Sequence, residues 1–167
     1  MSMLKIRLGN LCRFRNGDKY LGGRSGRRGR IGTVMVIEDY TAIGFDHLGS
    51  QPSAGVSEGK FVHIIGPDDE YLVFAPYKQA KWHAQIVMEF CRRHEDASCT
   101  VLHSGEDARF DVPGWTVSGG GHYRLRRNEK TLELGGSSKA YGPFNEVTLP
   151  GKIRTVPGWA EYRISVR

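Results

Sequence analysis

The sequence has few cysteines and no long hydrophobic run, and these two absences exclude several classes of protein. Its 167 residues include only Cys12, Cys91 and Cys99, an odd number without Cys-x-x-Cys spacing. We therefore expect neither a disulfide framework nor a cysteine zinc site. No apolar run is long enough to cross a bilayer, and the first residues lack the apolar segment of a signal peptide. We accordingly expect a cytoplasmic protein without a membrane partner.

Motifs for metals and nucleotides are also missing. The sequence contains no His-x-x-x-His and no Asp-x-Asp motif, and its six histidines lack the spacing of metal ligands. The glycine-rich stretch 22–32 is not a Walker A loop, because no Gly-Lys-Ser/Thr follows at the required spacing. We therefore expect no metal and no other cofactor.

Positive charge is concentrated near the N-terminus. The formal net charge is +6, and residues 1–57 hold nine Lys and Arg against four Asp and Glu, which leaves +5 in that segment. Guanidinium groups in the loop 22–32 could contact the phosphates of a nucleic acid. They belong to Arg24, Arg27, Arg28 and Arg30. The alternative is a solvated loop that keeps the protein soluble.

The first fifty residues predict a small β module. A β-branched run at residues 31–37, a turn and a second strand at residues 41–46 follow an earlier strand at residues 11–14. This pattern resembles SH3-like barrels of the KOW type. Glycine, serine and proline in residues 49–55 indicate a linker. We therefore expect two domains, at residues 1–50 and 58–167.

The second domain is predicted to be α+β. Strands are expected at residues 60–65, 71–74 and 99–103, and apolar residues from Tyr77 to His94 recur at the spacing of an amphipathic helix. Residues 105–114 are expected to form a polar loop. A hairpin with its turn at residues 128–130, a short helix at residues 144–149 and a last strand at residues 159–166 complete the domain. This order predicts a mixed sheet packed by two helices.

Glycines and small residues stand on both sides of the hairpin. Gly119, Gly120 and Gly121 precede its first strand, and residues 135–139 follow its second. Small residues in the second stretch would let consecutive backbone N–H groups converge, as an anion-binding nest requires. From spacing alone, an ordinary surface hairpin with a loop is the alternative.

Three segments, in this order, resemble the Janus/Ocnus family of small phosphohistidine phosphatases. They are Lys60-Phe61-Val62-x-Ile64, then Tyr77-Lys78 with His83-Ala84-x-Ile86, and the three glycines followed by Ser138-x-Ala140-Tyr141-Gly142-Pro143. The similarity covers about residues 58–167. It implies the α+β fold of that family, here preceded by the SH3-like module.

The resemblance also implies an enzyme, a metal-independent phosphatase that hydrolyses phosphohistidine or a related phosphoramidate. His83 matches the catalytic histidine of the family and would act as a general base or a nucleophile. The residues expected to bind the phosphate are Lys60, Ala84, His122, Ser137, Ser138, Lys139 and Ala140. The expected partner is a phosphorylated protein or a small phosphoramidate.

Two cations of the family pattern are absent from this chain. His122 stands where the family has an arginine after its three glycines, and Ala75 where it has an arginine before the Tyr-Lys pair. Each charged hydrogen bond lost in this way is worth about 1.5 to 3 kcal/mol. Two alternatives therefore stay open. One is a phosphate-, phosphoprotein- or nucleotide-binding module with little turnover, and the other is a nucleic-acid-associated protein that binds through its basic N-terminal module.

Overall fold

The computed structural model describes residues 33–40 and 55–167, which belong to one compact unit. The strands predicted at residues 11–14 and 41–46 lie outside these residues, as does nearly all of the predicted linker. Of the predicted SH3-like module, only one strand is described. The division into two domains therefore stays a prediction.

The regular elements of the described residues are eight strands, two α-helices and a short 3-10 helix at His103–Gly105. The strands are β1 (Val34–Asp39), β2 (Val56–Ile65), β3 (Asp69–Pro76), β4 (Cys99–Leu102), β5 (Asp107–Phe110), β6 (Thr116–Arg126), β7 (Thr131–Gly135) and β8 (Arg163–Val166). The helices are α1 (His83–Arg93) and α2 (Leu149–Arg154). The hairpin predicted around residues 128–130 is confirmed as β6 and β7.

Six of the strands form one mixed sheet in the order β1-β3-β2-β6-β7-β8. β1 runs parallel to β3 and β8 runs parallel to β7, whereas the other neighbours are antiparallel. β4 and β5 pair separately as an antiparallel hairpin. The long strands β2 and β6 lie at the centre of the sheet, so residues on them are held on both sides by neighbouring strands.

Each face of the sheet carries a hydrophobic core, because successive side chains of a strand point to opposite faces. Val62 and Val73 pack with Phe90 of α1 on one face, and the β4–β5 hairpin adds Ala108 to this core. The other face is covered by α2 and the C-terminal segment. Its buried residues include Phe61, Leu72, Phe74, Leu125, Leu149 and Ile153. The N-terminal end of α1 and the hairpin therefore lie on the same side of the sheet.

The predicted α+β class, with a sheet packed by two helices, is wrong. Strands make up 45% of the structure and helices 17%, so the described part of the chain is mostly β and built on a curled six-stranded sheet. The polar loop predicted at residues 105–114 contains strand β5. No helix in the described ranges is long and apolar enough to cross a membrane.

Both helices also differ from their predicted bounds. α1 begins at His83 rather than Tyr77, because the N–H groups of Gln79 and Ala80 both donate to the Pro76 carbonyl, at 2.9 and 3.0 Å, and fold the preceding segment into a turn. The helix predicted at residues 144–149 is replaced by a turn. In that turn the Asn145 side chain accepts hydrogen bonds from the N–H groups of residues 147 and 148. α2 starts only after this turn.

Candidate functional site

Gly120 has no side chain, and this lets two segments that are distant in the sequence approach each other. Gly120 lies on β6 opposite Val62 of β2. A Cβ atom placed on it would lie 3.2 Å from Cδ2 of His83 and 3.3 Å from Cβ of Ser138. The first residue of α1 and the loop after β7 therefore approach the same point of one strand, which a larger residue would not allow.

His83 is held by the backbone of the neighbouring glycine. Its Nε2 atom lies 3.0 Å from the carbonyl oxygen of Gly121, and the residue is 7% exposed. A carbonyl oxygen only accepts hydrogen bonds, so Nε2 carries the proton and Nδ1 of the neutral ring keeps its lone pair. Nδ1 has no hydrogen-bond partner among the described residues. It is therefore free to act as a base or a nucleophile.

Burial controls the charge of this ring. It lowers the pKa of His83 to about 4, from an ordinary value of 6.5. The hydrogen bond to Gly121 acts in the opposite direction, and the nearby charges of Lys60 and His122 lower the pKa of His83 further. At neutral pH the imidazole is therefore uncharged.

Lys60 lies beside His83 but is directed toward the turn before α1. Its Nζ atom donates to the carbonyl oxygen of Lys81. The same atom lies 5.8 and 6.0 Å from the ring centroids of Tyr77 and Trp82. Burial lowers the pKa of Lys60. The ammonium group is close enough to influence His83, but it already has a partner.

His122 is the cross-strand neighbour of Lys60 on β6. Its ring centroid lies 5.8 Å from that of His83, and its Nδ1 atom lies 3.0 Å from the Tyr77 hydroxyl. Burial lowers the pKa of His122, and the charge of Lys60 acts in the same direction. The residue lines a separate groove of about 280 Å³ with Tyr77 and Arg124. His122 therefore stands between this groove and His83.

The predicted phosphate loop is closed by its own backbone. Ser138 and Gly142 exchange two backbone hydrogen bonds, of 3.0 and 2.8 Å. Ser138 is only 2% exposed. Its hydroxyl accepts a hydrogen bond from the Tyr141 N–H at 3.2 Å. The backbone N–H of Ser138 is therefore already used. In the described part of the chain, the loop N–H groups without a hydrogen bond include those of Ser137, Lys139 and Ala140.

Tyr141 joins the loop to the β4–β5 hairpin. Its hydroxyl donates to the carbonyl oxygen of Ala108 at 2.8 Å and accepts from the N–H of the same residue at 3.2 Å. Burial raises the pKa of Tyr141, so the hydroxyl keeps its proton at any ordinary pH. This pair of bonds fixes the distance between loop and hairpin.

A pocket of about 260 Å³ lies between the start of α1, the loop and the hairpin. It is lined by Trp82, His83, His103, Glu106, Asp107, Lys139 and Ala140. Three of these residues, His83, Lys139 and Ala140, were expected from the sequence to form the site. The structure therefore brings the proposed base and part of the loop to one cavity.

The other expected site residues lie outside this pocket. Ala84 is a residue of α1 that is fully buried in the core. In the loop, Ser138 is buried and Ser137 is exposed. Lys60 and His122 flank His83 without lining the cavity. The arginines expected to contact nucleic acid, Arg24, Arg27, Arg28 and Arg30, lie outside the described residues.

Four lining residues were missed by the sequence interpretation. They are Trp82, His103, Glu106 and Asp107. The alternation of Asp107, Ala108, Arg109 and Phe110 is the period-2 pattern of a strand and was a usable signal for the hairpin. Nothing local shows that the hairpin tip approaches His83, because this depends on packing against α1.

No group of three or more His, Cys, Asp or Glu side chains in the described part of the chain could hold a metal ion. No family model matches the sequence, and no curated protein is significantly similar to it.

Proposed function

We propose that this protein hydrolyses phosphohistidine or a related phosphoramidate without a metal, using His83. One observation carries the proposal. The hydrogen bond from Nε2 of His83 to the Gly121 carbonyl leaves an unprotonated Nδ1 on a residue that lines a pocket together with Lys139 and Ala140. The three motifs that resemble the Janus/Ocnus family support the same reaction.

The neutral ring of His83 supports either of two roles. Nδ1 can take a proton from a water molecule that attacks phosphorus while the P–N bond of the substrate breaks and the nitrogen leaving group departs. Alternatively, Nδ1 attacks phosphorus itself and displaces that leaving group, and water then cleaves the new P–N bond to release phosphate and His83. In both cases the Nε2–H bond to Gly121 stabilises the positive charge that develops on the ring, because the carbonyl dipole points its negative end at the proton.

Positive groups for the phosphoryl oxygens come from two sides of the pocket. The free N–H groups of Lys139 and Ala140, with the Lys139 ammonium, lie on the loop. The N-terminal end of the 11-residue helix α1 lies at His83 and carries a partial positive charge. Such fixed donors stabilise charge in a transition state because they need no reorganisation when the reaction occurs.

A second candidate function is binding of a phosphoryl group with little turnover. The pKa of about 4 for His83 makes its Nδ1 a weak base at neutral pH, because proton transfer is most efficient when the pKa lies near the operating pH. His122 and Ala75 also stand where the family has arginines. In this case the loop would recognise a phosphorylated protein or a nucleotide.

Release of inorganic phosphate separates the two functions. We would measure it from phosphohistidine and phospholysine, with and without EDTA, for the wild type and for His83→Ala. If the protein is the proposed enzyme, EDTA has no effect, and His83→Ala lowers the rate by about 100-fold or more, the usual contribution of a positioned base.

Two further measurements make the outcome decisive. Thermal unfolding of His83→Ala shows whether the variant is folded, and titration with inorganic phosphate shows whether the wild type binds the anion. Phosphate binding without turnover favours the binding module. A folded protein that neither hydrolyses a phosphoramidate nor binds phosphate contradicts both functions.

A further inference from the structure

The pocket has two walls of different charge. We call His83, Lys139 and Ala140 the anion wall, because these lining residues are the ones that the proposed function assigns to the phosphoryl group. Glu106 and Asp107 of the β4–β5 hairpin line the same 260 Å³ cavity, and we call them the acidic wall. A phosphatase pocket that served only to hold phosphate would not need two carboxylates.

Both carboxylates of the acidic wall are available to a ligand. In the described part of the chain the Glu106 side chain has no hydrogen bond and no ion pair, and the residue is exposed. Asp107 has a loose ion pair in which Nε of Arg109 lies 3.6 Å from Oδ2, and the Arg109 side chain is 73% exposed. Exposed pairs of this kind contribute little. A better-placed cation could therefore replace Arg109.

A second observation marks the cavity as a ligand site independently of the acids. His83 is only 7% exposed, yet its Nδ1 atom has no partner among the described residues and the ring lines the cavity. Nδ1 is not fully buried, so a group in the cavity can reach it. A ligand in the pocket would supply the missing partner.

We infer that the acidic wall is a cation subsite, and that the substrate carries a lysine or arginine side chain next to its phosphoryl group. The inference rests on the proposed function for the phosphoryl half of the ligand. Two carboxylates in the cavity repel a phosphoryl dianion, whereas a cation between them and the phosphoryl group is attracted to both. A ligand with both charges fits the two walls, and a simple phosphate ester fits only one.

The spacing of the two walls is held by Tyr141. Ala108, which follows Asp107, accepts a hydrogen bond from the Tyr141 hydroxyl at its carbonyl oxygen and donates one to it from its N–H, and Tyr141 itself follows Ala140. Each bonded residue is thus the chain neighbour of one wall residue. To select between ligands, the pocket must recognise the two charged groups at a fixed separation. The hydrogen bonds between Tyr141 and Ala108 fix that separation.

The first test compares substrates that differ only in the neighbouring charge. Peptides carrying phosphohistidine beside lysine, glutamine or glutamate would be assayed with the wild type, with Glu106→Gln/Asp107→Asn and with Glu129→Gln, which changes an exposed acid in the β6–β7 turn. We expect the double variant to lose about three- to tenfold in the ratio of kcat/KM for the lysine peptide over the glutamine peptide, as two exposed ion pairs would give. Glu129→Gln should keep the wild-type ratio. An unchanged ratio in the double variant overturns the inference.

The second test does not depend on catalysis. Argininamide would be titrated into the same three proteins while the indole N–H signal of Trp82, which lines the pocket, is followed by NMR. We expect binding to the wild type and to Glu129→Gln, and binding about three- to tenfold weaker in the double variant. If argininamide binds the double variant more weakly but the wild type hydrolyses no phosphoramidate, the enzyme is refuted and the cation subsite is retained. Equal binding by all three proteins, or by none, would refute the cation subsite even if phosphohistidine is hydrolysed.

Discussion

Nε2 of His83 donates a hydrogen bond to the carbonyl oxygen of Gly121, over a distance of 3.0 Å. A helix residue is thereby oriented by the backbone of the central strand β6, and the tautomer of its ring is set by a group that cannot donate. Side chains oriented by regular elements are positioned more reproducibly than side chains on loops. The bond therefore decides which ring nitrogen of His83 is available in the pocket.

We expect His83 to titrate near pH 4, because burial lowers its pKa to about that value. An NMR titration of the His83 Cε1–H signal in the wild type would measure it. If His83 is the base, the rate of hydrolysis should likewise persist well below pH 6.5, the ordinary pKa of histidine. A midpoint near the ordinary value would contradict the burial described here.

The same shift predicts a loss of stability in acid. The unfolded chain binds the His83 proton at a higher pH than the folded chain, so the free energy of unfolding falls as pH decreases from 6.5 to about 4. The difference amounts to on the order of 3 kcal/mol. His83→Gln removes this contribution. Urea unfolding of both proteins at several pH values should therefore show a smaller acid loss in the variant, and parallel curves would refute the prediction.

Gly120→Ala should destabilise the protein and disturb the pocket. The new Cβ would lie 2.6 Å from the carbonyl oxygen of Phe61, a backbone atom of β2 that cannot move freely, and 3.2 Å from the His83 ring. We expect a loss of about 1 to 3 kcal/mol, as in other overpacked interiors. The control is Gly151→Ala in α2, where no atom lies within 4 Å of the new methyl group. Urea unfolding in which Gly120→Ala is as stable as the control would contradict the close approach.

Tyr141→Phe should loosen the contact between the loop and the hairpin. It removes the hydrogen bond donated to the Ala108 carbonyl and the one donated by the Ala108 N–H, so that this backbone loses its side-chain partner at a cost of about 1 to 3 kcal/mol. Phosphate binding should weaken as well, because the walls of the pocket are no longer held together. Tyr162→Phe is the matched control, since the Tyr162 hydroxyl makes no hydrogen bond within the described ranges. Calorimetry that finds equal phosphate affinity in both variants would mean that the contact serves stability alone.

His122→Arg should strengthen phosphate binding. The position lies next to His83, with a distance of 5.8 Å between ring centroids, and an arginine there restores a cation that the family pattern contains. A charged hydrogen bond is worth about 1.5 to 3 kcal/mol, so we expect at least about a tenfold tighter dissociation constant for phosphate. His122→Gln controls for loss of the imidazole. If both variants bind phosphate equally, the groove beside Tyr77 directs this side chain away from the pocket.

Local patterns were sufficient for several elements of this protein. The alternation of Tyr123 and Leu125 with charged residues predicted β6, because the side chains of a half-buried strand alternate between core and solvent. The short, mostly apolar run from Lys60 predicted most of β2, which is buried on both faces from Phe61 to Ile64. The same holds for the loop after β7, whose small residues indicated close backbone approach. His83, Lys139 and Ala140, in contrast, were predicted as site residues from the resemblance to the Janus/Ocnus family and not from a local structural pattern.

Other properties depend on contacts between residues far apart in the chain. The turn that delays α1 until His83 is held by the Pro76 carbonyl. The α+β prediction failed because helix was expected in segments that form turns, and a polar loop was expected where strand β5 is found. The acidic wall enters the pocket only because the hairpin packs on α1 and is bonded to Tyr141. The low pKa of His83, its tautomer and the use of the Ser138 N–H within the loop have the same origin. Burial and hydrogen-bond partners are properties of the packed chain, so no pattern of neighbouring residues could determine them.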